Sequence, residues 1–115
     1  IKGYSKFGSY VGNLNTDGPF IYTGFKPAFL IVKNIASGPT DWIQADNKRP
    51  GYNQNLPLQP NLNNAEGSYT NADFLSNGFK IRNQYGGSND ANTTIYMAFA
   101  ESPFVSSGGI PTTAR

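Results

Sequence analysis

The chain has 115 residues, a net charge of +2, and 14% charged residues against 14% aromatics (8 Phe, 7 Tyr, 1 Trp). That length suits one domain with one core, and the thin scatter of Lys and Arg, with Lys48-Arg49 the one adjacent pair, argues against a phosphate-neutralising stripe and hence against a nucleic-acid partner. With neither Cys nor His in the sequence, disulfides, thiolate or imidazole metal sites, and Ser-His or Cys-His nucleophile pairs are excluded.

Strong helix formers are scarce, with 2 Glu, 6 Lys and 1 Met, whereas Asn, Gly, Pro, Ser and Thr dominate, so short strands between turns are expected. Tyr4 to Val11 alternates weakly and stops at Gly12-Asn13, which reads as an edge strand. A turn cluster from Asn15 to Pro19 precedes a short strand, Phe20 to Thr23. Pro27 introduces Ala28 to Lys33, an uninterrupted apolar, β-branched run such as a strand covered on both faces requires, and this is read as the central strand. Asp41 to Ala45 alternates, with Trp42 and Gln44 on one face and Asp41, Ile43 and Ala45 on the other.

From Asp46 to Ala72 the composition turns to Asn, Pro, Gly and Gln, and is read as an ordered excursion or a surface that packs on something else. Asp73 to Arg82 places Asn77-Gly78 between apolar residues, which predicts a tight hairpin with positive φ at both turn centres; Phe79 and Ile81 then face the core and Lys80 and Arg82 face water. Gly86 to Asn92 reads as a loop, Thr94 to Ala100 as a strand with Ile95, Met97 and Phe99 on one face, and the tail beyond Pro103-Phe104 as irregular. Five to seven short strands imply an all-β fold: a single antiparallel β-sandwich or jelly-roll-like domain over residues 1–115, with long Asn/Pro/Gly-rich loops. The longest apolar run, Ala28 to Val32, is far short of the roughly 18 residues of a membrane span, so no membrane insertion is expected. A start at Ile1 rather than Met, without a basic-then-apolar leader, suggests a piece of a longer polypeptide.

Three ordered segments, Gly24 to Lys33 (GFKPAFLIVK), Asp73 to Arg82 (DFLSNGFKIR) and Ile95 to Phe104 (IYMAFAESPF), together resemble the tip modules of phage tail-fibre and related adhesin proteins of environmental and marine phages. Trp42 falls on the tryptophan-bearing strand that follows the first segment in that family, and Asn61 to Glu66 resembles its variable region. The resemblance implies an exposed virion component, commonly trimeric, used in host attachment. It supplies no catalytic or ligand residues, because the shared segments are strand and turn positions.

Catalysis without His or Cys would fall to carboxylates, and Asp41, Asp46, Asp73, Asp90 and Glu101 lie near strand ends or loops, where a pair about 5–9 Å apart cleaves glycosides. The plainer reading is turn hydrogen bonding, and no catalytic residue is assigned. Ser88 to Asn92 offers one Asp and two Asn as oxygen ligands, too few carboxylates for a strong calcium site, so no metal or cofactor is expected. Trp42 is either a core or interface anchor or a platform for a sugar ring. Lys48, Arg49 and Tyr52 are candidates for contacting an acidic glycan or a partner, against the alternative of a solvated loop.

Three functions are weighed: a phage tail-fibre or adhesin module presenting a host-recognition surface, a purely structural virion part such as a head decoration or trimerising knob, and a small polysaccharide hydrolase. The expected partners are copies of the chain, as a trimer, other virion proteins and a host-surface glycan.

Overall fold

The computed structural model describes residues 3–36, 38, 40–48, 57–67, 70–84, 86–101, 103–105 and 111–113. Among them the chain forms β1 (Ser5–Val11), β2 (Phe20–Tyr22), β3 (Pro27–Asn34), β4 (Ile43–Asp46), β5 (Ala72–Leu75), β6 (Gly78–Ile81), one helical turn α1 (Gly86–Asn89), β7 (Thr93–Ala100), β8 (Pro103–Val105) and β9 (Pro111–Thr113). The four-stranded sheet runs β1-β7-β3-β4 and the three-stranded sheet β2-β6-β5, with every pairing antiparallel. The two pack face to face, so the all-β sandwich expected from composition is the observed architecture. β1 is an edge, as its weak alternation suggests, and β3 lies between β7 and β4, as its apolar run requires.

The core forms where the inner faces meet. Leu30 and Val32 of β3, Ile43 of β4, Phe79 and Ile81 of β6 and Ala98 of β7 are completely buried, and full burial of an aliphatic or Phe side chain contributes about 1.5–3 kcal/mol. Phe79 meets Tyr96 edge-on at 5.3 Å between ring centroids and Tyr10 at 6.1 Å, an arrangement that suits the ring quadrupoles. Burial pushes the Tyr10 hydroxyl far above the usual phenol range, so it stays a donor, and it bonds the Ser88 carbonyl at 2.6 Å. Loss of hydration likewise raises Tyr96.

Three local expectations need correction. The hairpin between β5 and β6 pairs Leu75 with Gly78, so Ser76-Asn77 is the turn, and neither Asn77 nor Gly78 has φ in the left-handed region. Gly78 is demanded by a close approach instead: a Cβ there would sit 2.1 Å from the Ile21 carbonyl oxygen of the neighbouring strand. Residues Gly86–Asn89 are not open loop but a helical turn with Gly87, Ser88 and Asn89 buried. Tertiary hydrogen bonds impose it, since Asn34 Nδ2 donates to the Gly86 carbonyl at 2.8 Å while Tyr10 holds Ser88. Finally, the tail contains a small hairpin, with Pro103 opposite Thr113 and Val105 opposite Pro111.

A buried amide cluster closes the end of the sandwich beside α1. Asn89 Nδ2 donates to the carbonyls of Asn83 and Asn15, both at 2.6 Å, and Asn89 Oδ1 accepts the Asn13 N–H at 2.7 Å. Asn83 Nδ2 reaches Asn71 O and Oδ1, both at 2.9 Å, and Ser88 Oγ donates to Asn83 Oδ1 at 3.1 Å. These amides replace the backbone ladder where the sheets end, because buried polar groups must find partners.

Candidate interaction face

The outward face of the four-stranded sheet follows from its register. One row across it reads Phe7, Met97, Ile31 and Gln44; the next reads Ser5, Phe99, Phe29 and Asp46; the row on the other side reads Ser9, Ile95 and Lys33. Trp42 continues β4 beyond the Val32–Ile43 pair and so lies on this face with Gln44, the parity its alternation predicts. The rows through Met97 and Phe99 are thus apolar apart from Ser5, Gln44 and Asp46 on the edge strands, while the row through Ile95 carries Ser9 at its edge and Lys33 on the central strand β3.

The apolar residues are held rather than loose. Phe99 is the hub: it meets Phe7 at 6.0 Å, Phe29 at 6.1 Å and Tyr4 at 6.3 Å between ring centroids. Even so, Phe7 is 60% exposed, Val11 59% and Trp42 36%. Two shallow depressions of about 450 and 270 Å³ share Ile31, Trp42 and Met97, and Pro60 and Asn61 form the far wall of the larger.

The start of β4 is fixed by part of the Asn/Pro-rich excursion. Gln44 and Leu58 exchange backbone hydrogen bonds at 2.8 and 2.9 Å, laying residues 57–59 along the outer edge of β4. Asn61 Oδ1 accepts the Trp42 N–H at 3.1 Å, while Asn61 Nδ2 and Gln59 Nε2 donate to the two oxygens of Asp41 at 3.0 and 3.1 Å. The described part of the excursion is therefore ordered, and its planar polar groups are committed to one another beside the indole.

The four residues singled out from the sequence do not form one site. Trp42 sits at the start of β4 and Lys48 follows its end in a turn, so the two stand at opposite ends of a strand roughly 13 Å long at ~3.3 Å per residue. Lys48 is exposed, and its N–H donates to Asp46 Oδ1 at 2.9 Å in a turn that ends the strand. Arg49 and Tyr52 lie outside the described residues. Phe7, Ile31, Met97 and Phe99 were not singled out as surface residues, although their outward set on β7 is more apolar than the inward set of Thr94, Tyr96 and Ala98.

Each of the five acids weighed for chemistry has a local partner. Asp41 serves Gln59 and Asn61, Asp46 serves the Lys48 N–H, and Asp90 accepts from the Ala91 N–H at 2.7 Å and Asn92 Nδ2 at 3.2 Å. Asp73 pairs with Arg82 at 2.8 Å on the outer face of the three-stranded sheet, and Glu101 joins Lys26 at 3.4 Å and Asn47 Nδ2 at 3.0 Å. Among the described residues no group of three or more Asp or Glu is placed to hold a metal ion. The three-stranded sheet thus carries ion pairs together with the exposed rings of Phe20 and Tyr22 on its outer face, and the four-stranded sheet carries a larger set of rings and aliphatic side chains.

Together these features define a small antiparallel β-sandwich domain whose four-stranded sheet has an aromatic cluster on its outer face. The chain belongs to the DUF7483 family, a domain of unknown function whose model matches residues 1–103. No curated protein and no solved structure matches it.

Proposed function

We propose that the chain is a non-catalytic module of a phage virion, of the tail-fibre or adhesin kind, that assembles as a homo-oligomer, a trimer by preference, on the exposed particle and presents a host-recognition surface. The observation that carries the assembly part of this reading is the aromatic face around Phe99 and Trp42, since contiguous exposed apolar surface of this kind serves docking. The engagement of the five acids in turns and ion pairs supports a role without turnover. Placement in a virion rests on the resemblance of the three ordered segments, which occupy β3, the β5–β6 hairpin and β7. Other virion proteins and a host-surface glycan are the partners this reading calls for, with no cofactor.

The apolar face also favours a second reading, a purely structural virion part such as a decoration protein or trimerising knob. Labelled chain applied to a glycan array and to bacterial cells separates the two. An adhesin gives saturable binding to a defined glycan or strain, without release of reducing ends; a structural part gives none. Release of reducing ends would overturn both.

A further inference from the structure

We propose that the outward face of the four-stranded sheet is where copies of this chain associate, apolar face against apolar face; this deepens the oligomeric module proposed above and rests on that reading. The first support is pattern. β7 sends Ile95, Met97 and Phe99 outward and β3 sends Phe29 and Ile31 outward, so both strands are apolar on both sides, the composition of strands in the middle of three layers rather than at the edge of two. The three-stranded sheet covers one side only.

The second support is area. At roughly 200–250 Å² per aromatic side chain, the exposed parts of Tyr4, Phe7 and Trp42 amount to about 300 Å², and the half-buried residues around Phe99 extend the apolar surface to about 500 Å². A standard protein interface buries about 800 Å² on each partner, some 60% of it apolar, which is the same ~500 Å². A single sugar ring would cover one aromatic face and leave most of the patch in water.

The third support is charge. A surface that meets its own copy brings each residue near its equivalent or a neighbour, so a charged centre would repel itself. Here the two rows through Met97 and Phe99 carry one charge, Asp46 on the edge strand β4, and the row beyond carries Lys33 between Ile95 and Trp42, so the two ionic groups on the face are of opposite sign. Lys33 Nζ is also tied to Thr40, through its carbonyl and, at 2.9 Å, its hydroxyl.

The test is the solution mass of the 115-residue chain by light scattering after size exclusion, for the wild type and for Phe7→Lys, Val11→Lys and Tyr22→Lys. Phe7 and Val11 are exposed on the proposed face; Tyr22, 66% exposed on the other sheet, is the control. The expected result is a wild-type mass that is a multiple of 12.5 kDa at micromolar concentration, unchanged in Tyr22→Lys. Phe7→Lys should weaken association at least ~30-fold, the effect of losing an anchor, and Val11→Lys, at the end of β1, should weaken it in the same direction, both melting like the wild type.

A wild-type monomer at ~100 μM overturns the proposal, whether or not a glycan or another protein then binds the face. So does a multimer that survives both face substitutions or is dissolved by Tyr22→Lys. A chain that binds cells as a monomer would refute this inference and leave the adhesin reading standing; a multimer dissolved by Phe7→Lys that binds no cell or glycan would do the reverse.

Discussion

Asn89→Asp is the sharpest test of how the fold is closed, because the exchange keeps size and shape and changes only hydrogens and charge. In the wild type the completely buried Asn89 amide donates to two carbonyls at 2.6 Å and accepts one N–H at 2.7 Å. Aspartate keeps the acceptor, loses both donors and sets a carboxylate oxygen against the Asn15 and Asn83 carbonyls. The buried Asn83 carbonyl left unsatisfied costs about 1–3 kcal/mol and the uncompensated buried carboxylate adds at least as much, so a loss of about 4 kcal/mol is expected at pH 7, out of a total of some 5–15 kcal/mol. For a domain of this size that lowers Tm by about 15–30 °C.

The deficit should also depend on pH. Burial beside two carbonyls raises the folded-state pKa of the introduced carboxyl above its unfolded value of about 3.9. Relative to the wild type, the variant is therefore least impaired below about pH 3.9, where the protonated acid restores one donor, and it loses stability as pH rises through the folded value. Thermal melts of both proteins by circular dichroism at pH 3.5 and 7 measure this directly. A Tm within 5 °C of the wild type at pH 7, or a deficit identical at both pH values, would refute the reasoning.

Three further outcomes follow from local geometry. Gly78→Ala should destabilise by at least ~2 kcal/mol, because its Cβ would meet the Ile21 carbonyl oxygen at 2.1 Å and β2 would have to shift; urea unfolding reads the loss. Leu14→Asn should stabilise by about 0.5–1 kcal/mol, since exposed Leu14 has φ 58° and Asn tolerates that conformation better; a lower urea midpoint would contradict it. Lys80, bonded to Asp17 Oδ1 at 2.8 Å, holds that carboxyl below the usual carboxylate range, so the pair stabilises above about pH 3.9 and the benefit fades as pH falls through the depressed folded value. Lys80→Gln should flatten that acid-side slope in a melt series from pH 2 to 6.

Strand positions were legible where side chains alone decide them. The Ala28 to Val32 run and the alternation around Trp42 both landed as read, because β-branched packing and strand parity are local properties. What parity cannot say is which side of β7 is inside, since both sides are apolar; Tyr96 and Ala98 face the core and Ile95, Met97 and Phe99 do not. The interaction face was therefore hidden in residues that read as core. The helical turn at Gly86–Asn89 was invisible because its residues are poor helix formers and distant partners fold it, among them Asn34, which acts across 52 positions. Buried asparagines are the general difficulty: Asn89 is indistinguishable in sequence from the solvated Asn residues of loops.

The most direct test of the interaction face uses the one tryptophan of the chain as its reporter. Trp42 is partly exposed on the proposed contact face, and association would cover it. Emission recorded from nanomolar to ~100 μM, beside Phe7→Lys under the same conditions, should move to shorter wavelength with concentration in the wild type and stay red-shifted in the variant. Identical emission from the two proteins at every concentration would contradict the account.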